Sequence, residues 1–116
     1  MNFIAKLEQA QTVNDSLLCV GLDPVLERLP AVCRREKMPF LAFNRALIEA
    51  TADLVCAYKP QFAHYAALGA EIELEATIAY IHQHYPAIPV ILDAKRGDIG
   101  STAEKYAEEA FSRYQA

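Results

Sequence analysis

The stretch "PVILDAKRGDIGSTAEKYA", residues 89–107, joins an apolar strand to a dense group of charges. Residues 90–92 form a continuous apolar run of the kind found in strands that are covered on both faces. Asp93, Lys95 and Asp98 follow that run at once. Charges at the end of a buried strand are costly unless they are paired or solvated, so this stretch indicates either an exposed ion pair or a functional site.

Two earlier apolar runs end in the same way. The three predicted strands cover residues 16–22, 54–58 and 89–95. Their charged ends, Asp23, Lys59 and Lys95, are 36 positions apart from one to the next. Because parallel strands present their carboxyl ends at one edge of a sheet, this spacing predicts that the three side chains lie along a single edge, where α/β proteins bind ligands.

Helical patterns separate these runs and complete the fold prediction. Apolar residues recur at helical spacing over residues 3–13, 40–53 and 64–85. A fourth helix is predicted from Ser101, which forms a capping-box pattern with Glu104. Strands that are apolar throughout and alternate with helices are typical of a parallel α/β fold. Three strands cannot close a barrel, so the pattern also indicates an incomplete chain.

The composition is typical of one ordinary folded domain that spans residues 1–116. The chain is 53% hydrophobic and 22% charged, and its net charge of −4 does not favour a nucleic-acid partner. No apolar run approaches the roughly 20 residues of a membrane span, and the N-terminal residues lack a signal-peptide pattern, so we expect no membrane association and a cytoplasmic location. The three cysteines and three histidines lack metal-ligand spacing, which predicts packing or surface roles and no metal site.

The charges at the third strand end favour acid–base chemistry. Asp93 and Lys95 are two positions apart, so in a strand they project from the same face, and Asp98 lies in the following loop. Negative charge on both sides favours the ammonium form of Lys95. A charged lysine is a proton donor and a poor nucleophile, which argues against a Schiff-base role.

Structural roles remain open for several of these residues. Asp23, which precedes a proline, also fits a helix N-cap, and Lys59 fits a strand that ends in solvent. Thr102 is sufficiently explained by its place at a helix start. The "GDIG" at 97–100 could hold an anion on backbone amides or match a KH RNA-binding loop. However, Asp98 inside it opposes an anion, and a KH loop joins two helices whereas this one follows a strand.

Three segments together resemble a known family: "CVGLDP" at 19–24, "CAYKPQ" at 56–61 and "VILDAKRGDIGSTAEKYA" at 90–107. They are similar to the first three strand ends of orotidine 5′-phosphate decarboxylase, in its longer bacterial subfamily. The third segment is the most specific, because it holds Asp-x-Lys-x-x-Asp with a threonine four residues later. The resemblance implies a (β/α)8 TIM barrel that converts orotidine 5′-phosphate to UMP and CO2 in de novo pyrimidine biosynthesis, without metal or organic cofactor.

The resemblance also implies catalytic roles for individual residues. Lys95 is expected to be the proton donor to C6 of the pyrimidine. Asp93 is expected to lie beside the substrate carboxylate, and Asp98 to reach into the active site of the neighbouring subunit.

Substrate binding and assembly follow from the same resemblance. Asp23 and Lys59 are expected to contact the ribose hydroxyls, and Thr102 to help across a dimer interface, so the full-length protein is expected to be a homodimer. The chain covers about the first three of eight βα units. Because the phosphate-binding loops belong to the later strands, we expect the isolated chain to be inactive.

Two other functions remain open. Sugar-phosphate decarboxylases and aldolases of the same barrel lineage share the Asp-x-Lys-x-x-Asp pattern. They bind magnesium through an acidic residue at the second strand end, where this chain has Lys59, and a lysine is not a magnesium ligand. A non-catalytic phosphate- or nucleotide-binding module built on "RGDIGS", residues 96–101, would bind nucleotide without releasing CO2.

Overall fold

The computed structural model describes residues 1–116 and contains two strands and six α-helices. The strands are β1 (Cys19–Leu22) and β2 (Ala57–Pro60). The helices are α1 (Phe3–Val13), α2 (Ala31–Arg34), α3 (Pro39–Thr51), α4 (Phe62–Ala66), α5 (Glu71–His84) and α6 (Gly100–Ala107). A 3₁₀ turn covers Leu26–Arg28, and the π-helical turn Glu108–Arg113 continues α6. None of these helices combines the length and the apolar character needed to cross a bilayer.

The strands lie side by side and point in one direction. β1 and β2 pair in parallel in a register that sets Leu22 opposite Pro60. Residues 89–93 run alongside β2 in the same direction and form isolated bridges with Tyr58 of β2 and with Gln61, directly after it. At the carboxyl end, the Asp93 amide donates to the Pro60 carbonyl (3.0 Å), and the Phe62 amide donates to the Asp93 carbonyl (3.0 Å). The predicted parallel direction and adjacency are therefore confirmed, but only two of the three predicted strands form a sheet, and the third segment is joined by bridges alone.

The limits of the first strand differ from the prediction. β1 begins at Cys19 and not at residue 16. The reason is a local turn, in which the Ser16 hydroxyl donates to the Leu54 carbonyl (2.6 Å) and accepts from the Leu18 amide (3.0 Å). A side chain that bonds nearby backbone in this way competes with a strand ladder.

The second and third strand predictions also need correction. β2 covers residues 57–60 and not 54–58, because the end of α3 runs into a turn that joins the Leu54 amide to the Thr51 carbonyl (2.8 Å). Lys59 consequently lies inside β2. Residues 89–95 do not form a continuous strand, because Pro60 of β2 has no amide hydrogen to donate to the Ile91 carbonyl and Lys95 leaves the extended conformation, with φ +51°.

Two helix predictions change as well. The predicted helix over 64–85 is divided into α4 and α5 at Gly69, whose positive φ of +63° suits a residue without a Cβ atom. The capping box at Ser101 is not formed. Because α6 begins at Gly100, the Ser101 hydroxyl lies within the first turn rather than ahead of it, and the helix start has no side-chain cap.

The hydrophobic core lies where the sheet packs against α3, α4 and α5. Its fully buried members are Leu22, Ile48, Val55, Tyr58, Tyr65, Leu74, Ile78 and Ile81. A smaller cluster of Ala10, Cys56 and Ala57 lies under α1, and all three cysteines are free. Burial of each large side chain contributes on the order of 1.5–3 kcal/mol, which fixes the strands from one side and leaves their charged ends accessible.

Candidate active site

A carboxylate held between two ammonium groups is the centre of the site. The Lys95 Nζ atom lies 2.7 Å from Oδ1 and 2.6 Å from Oδ2 of Asp93, so it contacts both carboxylate oxygens. The Lys59 Nζ atom, which comes from β2, lies 3.7 Å from Asp93 Oδ2. Asp93 is the last residue of the third segment and is bonded to β2 through its backbone. Neighbouring segments thus bring three of the predicted site residues together.

The backbone turns sharply at Lys95. Its φ of +51° is in the left-handed region, which costs a non-glycine residue about 1–2 kcal/mol. The ammonium group reaches back to Asp93 from this turn, rather than projecting beside it from a regular strand as the sequence predicted. The next residue, Arg96, places its guanidinium 4.7 Å from the centre of the Phe62 ring and 5.8 Å from that of Tyr106. These cation–π contacts attach the strained turn to α4 and α6.

The electrostatics of the site are set by the two lysines around Asp93. The hydrogen bonds from Lys95 and the positive charges of Lys95 and Lys59 hold the pKa of the Asp93 carboxyl below its ordinary value, against the opposing effect of desolvation. The carboxylate form is therefore favoured in the folded chain.

Removal of the Lys95 charge should raise the pKa of Asp93. We expect Lys95→Met to move this pKa upward, as seen in a carbon-13 NMR titration of the aspartate carboxyls, while Lys105→Met leaves it in place. Folding lowers the pKa of Asp93. The ion pair therefore stabilises the fold at pH values above the pKa that Asp93 has in the unfolded chain, and this contribution is lost as the pH falls through the lower pKa of the folded chain. An unchanged Asp93 titration in Lys95→Met would contradict the assigned cause.

Asp23 lies at the neighbouring strand end and is tied to the start of α4. Its Oδ1 atom accepts a hydrogen bond from the Gln61 amide (3.1 Å). Because Gln61 directly follows β2, this bond links the carboxyl ends of β1 and β2. Asp23 does not cap the 3₁₀ turn that follows its own strand, because that turn has Val25 at its N-cap and no side-chain cap.

Asp98 and Thr102 lie apart from this group. The Asp98 carboxylate accepts from the adjacent Ile99 amide (2.7 Å) and forms no ion pair with Lys95. Thr102 is exposed in the first turn of α6. Within one chain, Lys95 is therefore flanked by one carboxylate and not by two, because the loop after Lys95 carries Asp98 away.

Several residues that shape the site were not singled out from the sequence. Gln61, Phe62 and Tyr65 hold the strand ends from the side of α4, and Arg96 holds the turn after Lys95. Asn44 is fully buried among apolar neighbours on α3. The one available signal was that Asn44 is a polar residue on the apolar stripe of its helix, where buried polar groups need partners.

Parallel βα units with a cluster of ionic groups at their carboxyl ends place the chain in the α/β class, whose members bind ligands at this edge of the sheet. The family described as "Orotidine 5'-phosphate decarboxylase / HUMPS family" matches residues 16–116, and the chain belongs to this family.

Relatives and a solved structure support this assignment. The chain is 62% identical over 118 aligned positions to the orotidine 5'-phosphate decarboxylase of Cellvibrio japonicus, and 61% identical over 116 positions to that of Ralstonia nicotianae. Each match covers 100% of this chain and 43% of the relative. The structure of Leishmania donovani OMP decarboxylase is 38% identical, with a TM-score of 0.81, and the match covers 100% of this chain and 42% of that one. The chain thus spans less than half the length of these relatives.

These matches define the architecture. The fold is α/β, of the (β/α)8 TIM-barrel family, and the chain contains about three βα units of that barrel. Its charged strand ends belong to the face of the barrel on which TIM-barrel enzymes build their active sites.

Proposed function

We propose that these residues form part of an active site that decarboxylates orotidine 5′-phosphate to UMP and CO2, a step of de novo pyrimidine synthesis, with Lys95 as the proton donor. The observation that carries the proposal is the contact of the Lys95 ammonium with both oxygens of Asp93, with Lys59 beside it. Family membership supports the choice of substrate.

The proposed reaction needs a fixed positive charge. The bond between C6 and the carboxylate carbon breaks, CO2 leaves, and the electron pair stays on C6. The Lys95 ammonium then gives a proton to C6 and is left as an amine, which solvent protonates again. Because the developing charge has no electron sink on the ring, an ammonium that is already aimed at C6 stabilises the transition state. Asp93 keeps this ammonium in place and also lies close to the substrate carboxylate.

Substrate binding is assigned to the other strand ends. Asp23 and Lys59 contact the ribose hydroxyls, and their positions on adjacent strands suit a ligand that lies across the sheet edge. Asp98 and Thr102 do not face their own Lys95, which fits a role in the site of a second subunit of a homodimer. The proposed reaction uses no metal or organic cofactor.

A sugar-phosphate decarboxylase or aldolase of the same lineage is the second candidate. Its magnesium site requires an acidic oxygen where Lys59 stands, and the Lys59 ammonium lies 3.7 Å from the only carboxylate of the cluster. A cation at this position repels a divalent ion. The residues present therefore favour the nucleotide substrate.

The isolated 116-residue chain is proposed to be inactive. The Lys95 side chain is 67% exposed, so water screens the charges that catalysis needs in a closed site. Phosphate-gripping residues are assigned to later strands of the barrel, and the strands here leave sheet edges open.

The test is a hybrid enzyme, in which residues 1–116 of this chain are followed by the part of the Cellvibrio japonicus relative that the chain does not cover. We expect the hybrid enzyme to release CO2 from orotidine 5′-phosphate, and the 116-residue chain to release none. UMP binding by a folded hybrid enzyme without CO2 release would favour the non-catalytic binding module instead.

A further inference from the structure

We propose that Tyr65 is a positioning residue for Asp23, acting through a buried hydrogen-bond network behind the strand ends; this inference rests on the ribose-binding role proposed for Asp23. Tyr65 lies on α4 and is fully buried, so it does not meet the substrate. Its hydroxyl donates to the carbonyl of Leu22, the last residue of β1 and the neighbour of Asp23 (2.7 Å).

The Tyr65 hydroxyl is itself held by two further buried side chains. Asn44 on α3 donates from its Nδ2 atom to the Tyr65 hydroxyl (2.9 Å) and to Oγ1 of Thr77 on α5 (3.1 Å). Asn44, Tyr65 and Thr77 are all fully buried. The edge-on contact of Phe40, with ring centres 5.8 Å apart, fixes the plane of the phenol. The donor to Leu22 is thereby fixed by three helices.

Asp23 is thus attached at two points to one short segment. The Gln61 amide holds its carboxylate, and Tyr65 holds the carbonyl that precedes it. Both donors belong to residues 61–65, directly after β2. The two bonds fix the position and direction of the Asp23 carboxylate relative to β2, which carries Lys59.

The chemistry of the network argues against a packing role alone. A phenylalanine would fill nearly the same volume as Tyr65 without a polar atom to bury. The network also leaves Oδ1 of Asn44 buried without a partner, which carries a desolvation cost that an apolar core would avoid. The phenol of Tyr65 is a donor at neutral pH in any case, and burial raises its pKa further from that range.

The kinetic test uses Tyr65→Phe in the hybrid enzyme. We expect the KM for orotidine 5′-phosphate to rise about tenfold and kcat to change by less than about twofold, because Asp23 holds the ribose in the ground state and the transition state alike. In an Asp23→Ala background, Tyr65→Phe should change kcat/KM by less than about twofold, since the group that it positions is gone. An equal loss in both backgrounds would overturn the inference.

Tyr58→Phe is the matched control. Tyr58 is another fully buried tyrosine, but its hydroxyl bonds the Ile48 carbonyl (3.1 Å) and Thr51 (2.8 Å), both on α3. We expect Tyr58→Phe to lower the melting temperature as Tyr65→Phe does and to leave KM unchanged. If Tyr65→Phe does not fold, Asn44→Leu replaces it, and an unchanged KM in that variant would also overturn the inference.

Hydrogen exchange separates this inference from the proposed function. The Gln61 amide, which bonds Asp23, should exchange faster in Tyr65→Phe, whereas amides in the centre of α5 should keep their rates. An unchanged Gln61 rate would refute the positioning role whether or not the hybrid enzyme is active. The hybrid enzyme could instead be inactive while the Gln61 amide exchanges faster in its Tyr65→Phe variant. That result would contradict the proposed reaction and support the positioning role.

Discussion

Lys95→Ala in the hybrid enzyme is expected to lower the rate of CO2 release by about 10³-fold or more while the fold survives. The substitution removes both the proposed proton donor and the positive charge that the proposal places against C6. Because Lys95 is not part of the hydrophobic core, its loss should change the melting temperature little. The measurements are single-turnover CO2 release and thermal unfolding by circular dichroism.

Lys105→Ala provides the control for that result. Lys105 is similarly exposed, at 71%, and also pairs with a carboxylate, at 2.9 Å from Glu108, but it lies on α6 away from the strand ends. Its loss should leave CO2 release within about twofold of the parent, as expected for a surface ion pair. Turnover near the parent's rate by Lys95→Ala would rule out its role as proton donor.

Mixing two inactive variants should restore activity if the active sites are shared between subunits. A Lys95→Ala subunit paired with an Asp98→Ala subunit leaves one site with Lys95 from one chain and Asp98 from the other. We therefore expect activity to rise from near zero to roughly half the parent's value per heterodimer, since one of two sites is intact. Differentially tagged subunits allow the heterodimer to be isolated before the assay.

The pair Lys95→Ala and Asp93→Ala is the matching negative control. Lys95 and Asp93 are in contact within one chain, so each site of that heterodimer keeps one defect and no activity should return. If the Lys95→Ala and Asp98→Ala heterodimer forms and stays inactive, the assignment of Asp98 to the partner's site is wrong.

The alternation of helices with parallel extended segments could be predicted from the sequence because it depends on apolar runs. The limits of the strands could not be predicted, because they depend on individual hydrogen bonds that the hydrophobic pattern does not reveal. The Ser16 hydroxyl displaces the start of β1, and the turn at Thr51 moves β2 toward its carboxyl end. Lys59 thereby becomes a strand residue, although its contact with Asp93 is kept.

In the candidate site, too, some contacts could be predicted from the sequence and others could not. The contact of Asp93 with Lys95 follows from residues close in sequence, so the motif was enough to anticipate it. The left-handed turn at Lys95 and the separation of Asp98 depend on how the loop packs against Phe62. Asn44 and Tyr65 were missed because their bonds join residues 21 and 43 positions apart, which no local pattern records.

Proton transfer by Lys95 is tested most directly by following the reverse step. By microscopic reversibility, a group that gives a proton to C6 also removes one, and 5-fluorouridine 5′-monophosphate has a more acidic C6 hydrogen than UMP because fluorine withdraws electrons. In D2O, the hybrid enzyme is expected to exchange this hydrogen for deuterium, as followed by NMR, and Lys95→Ala to lose the exchange while still binding the nucleotide. Exchange by Lys95→Ala at the parent's rate would contradict the account.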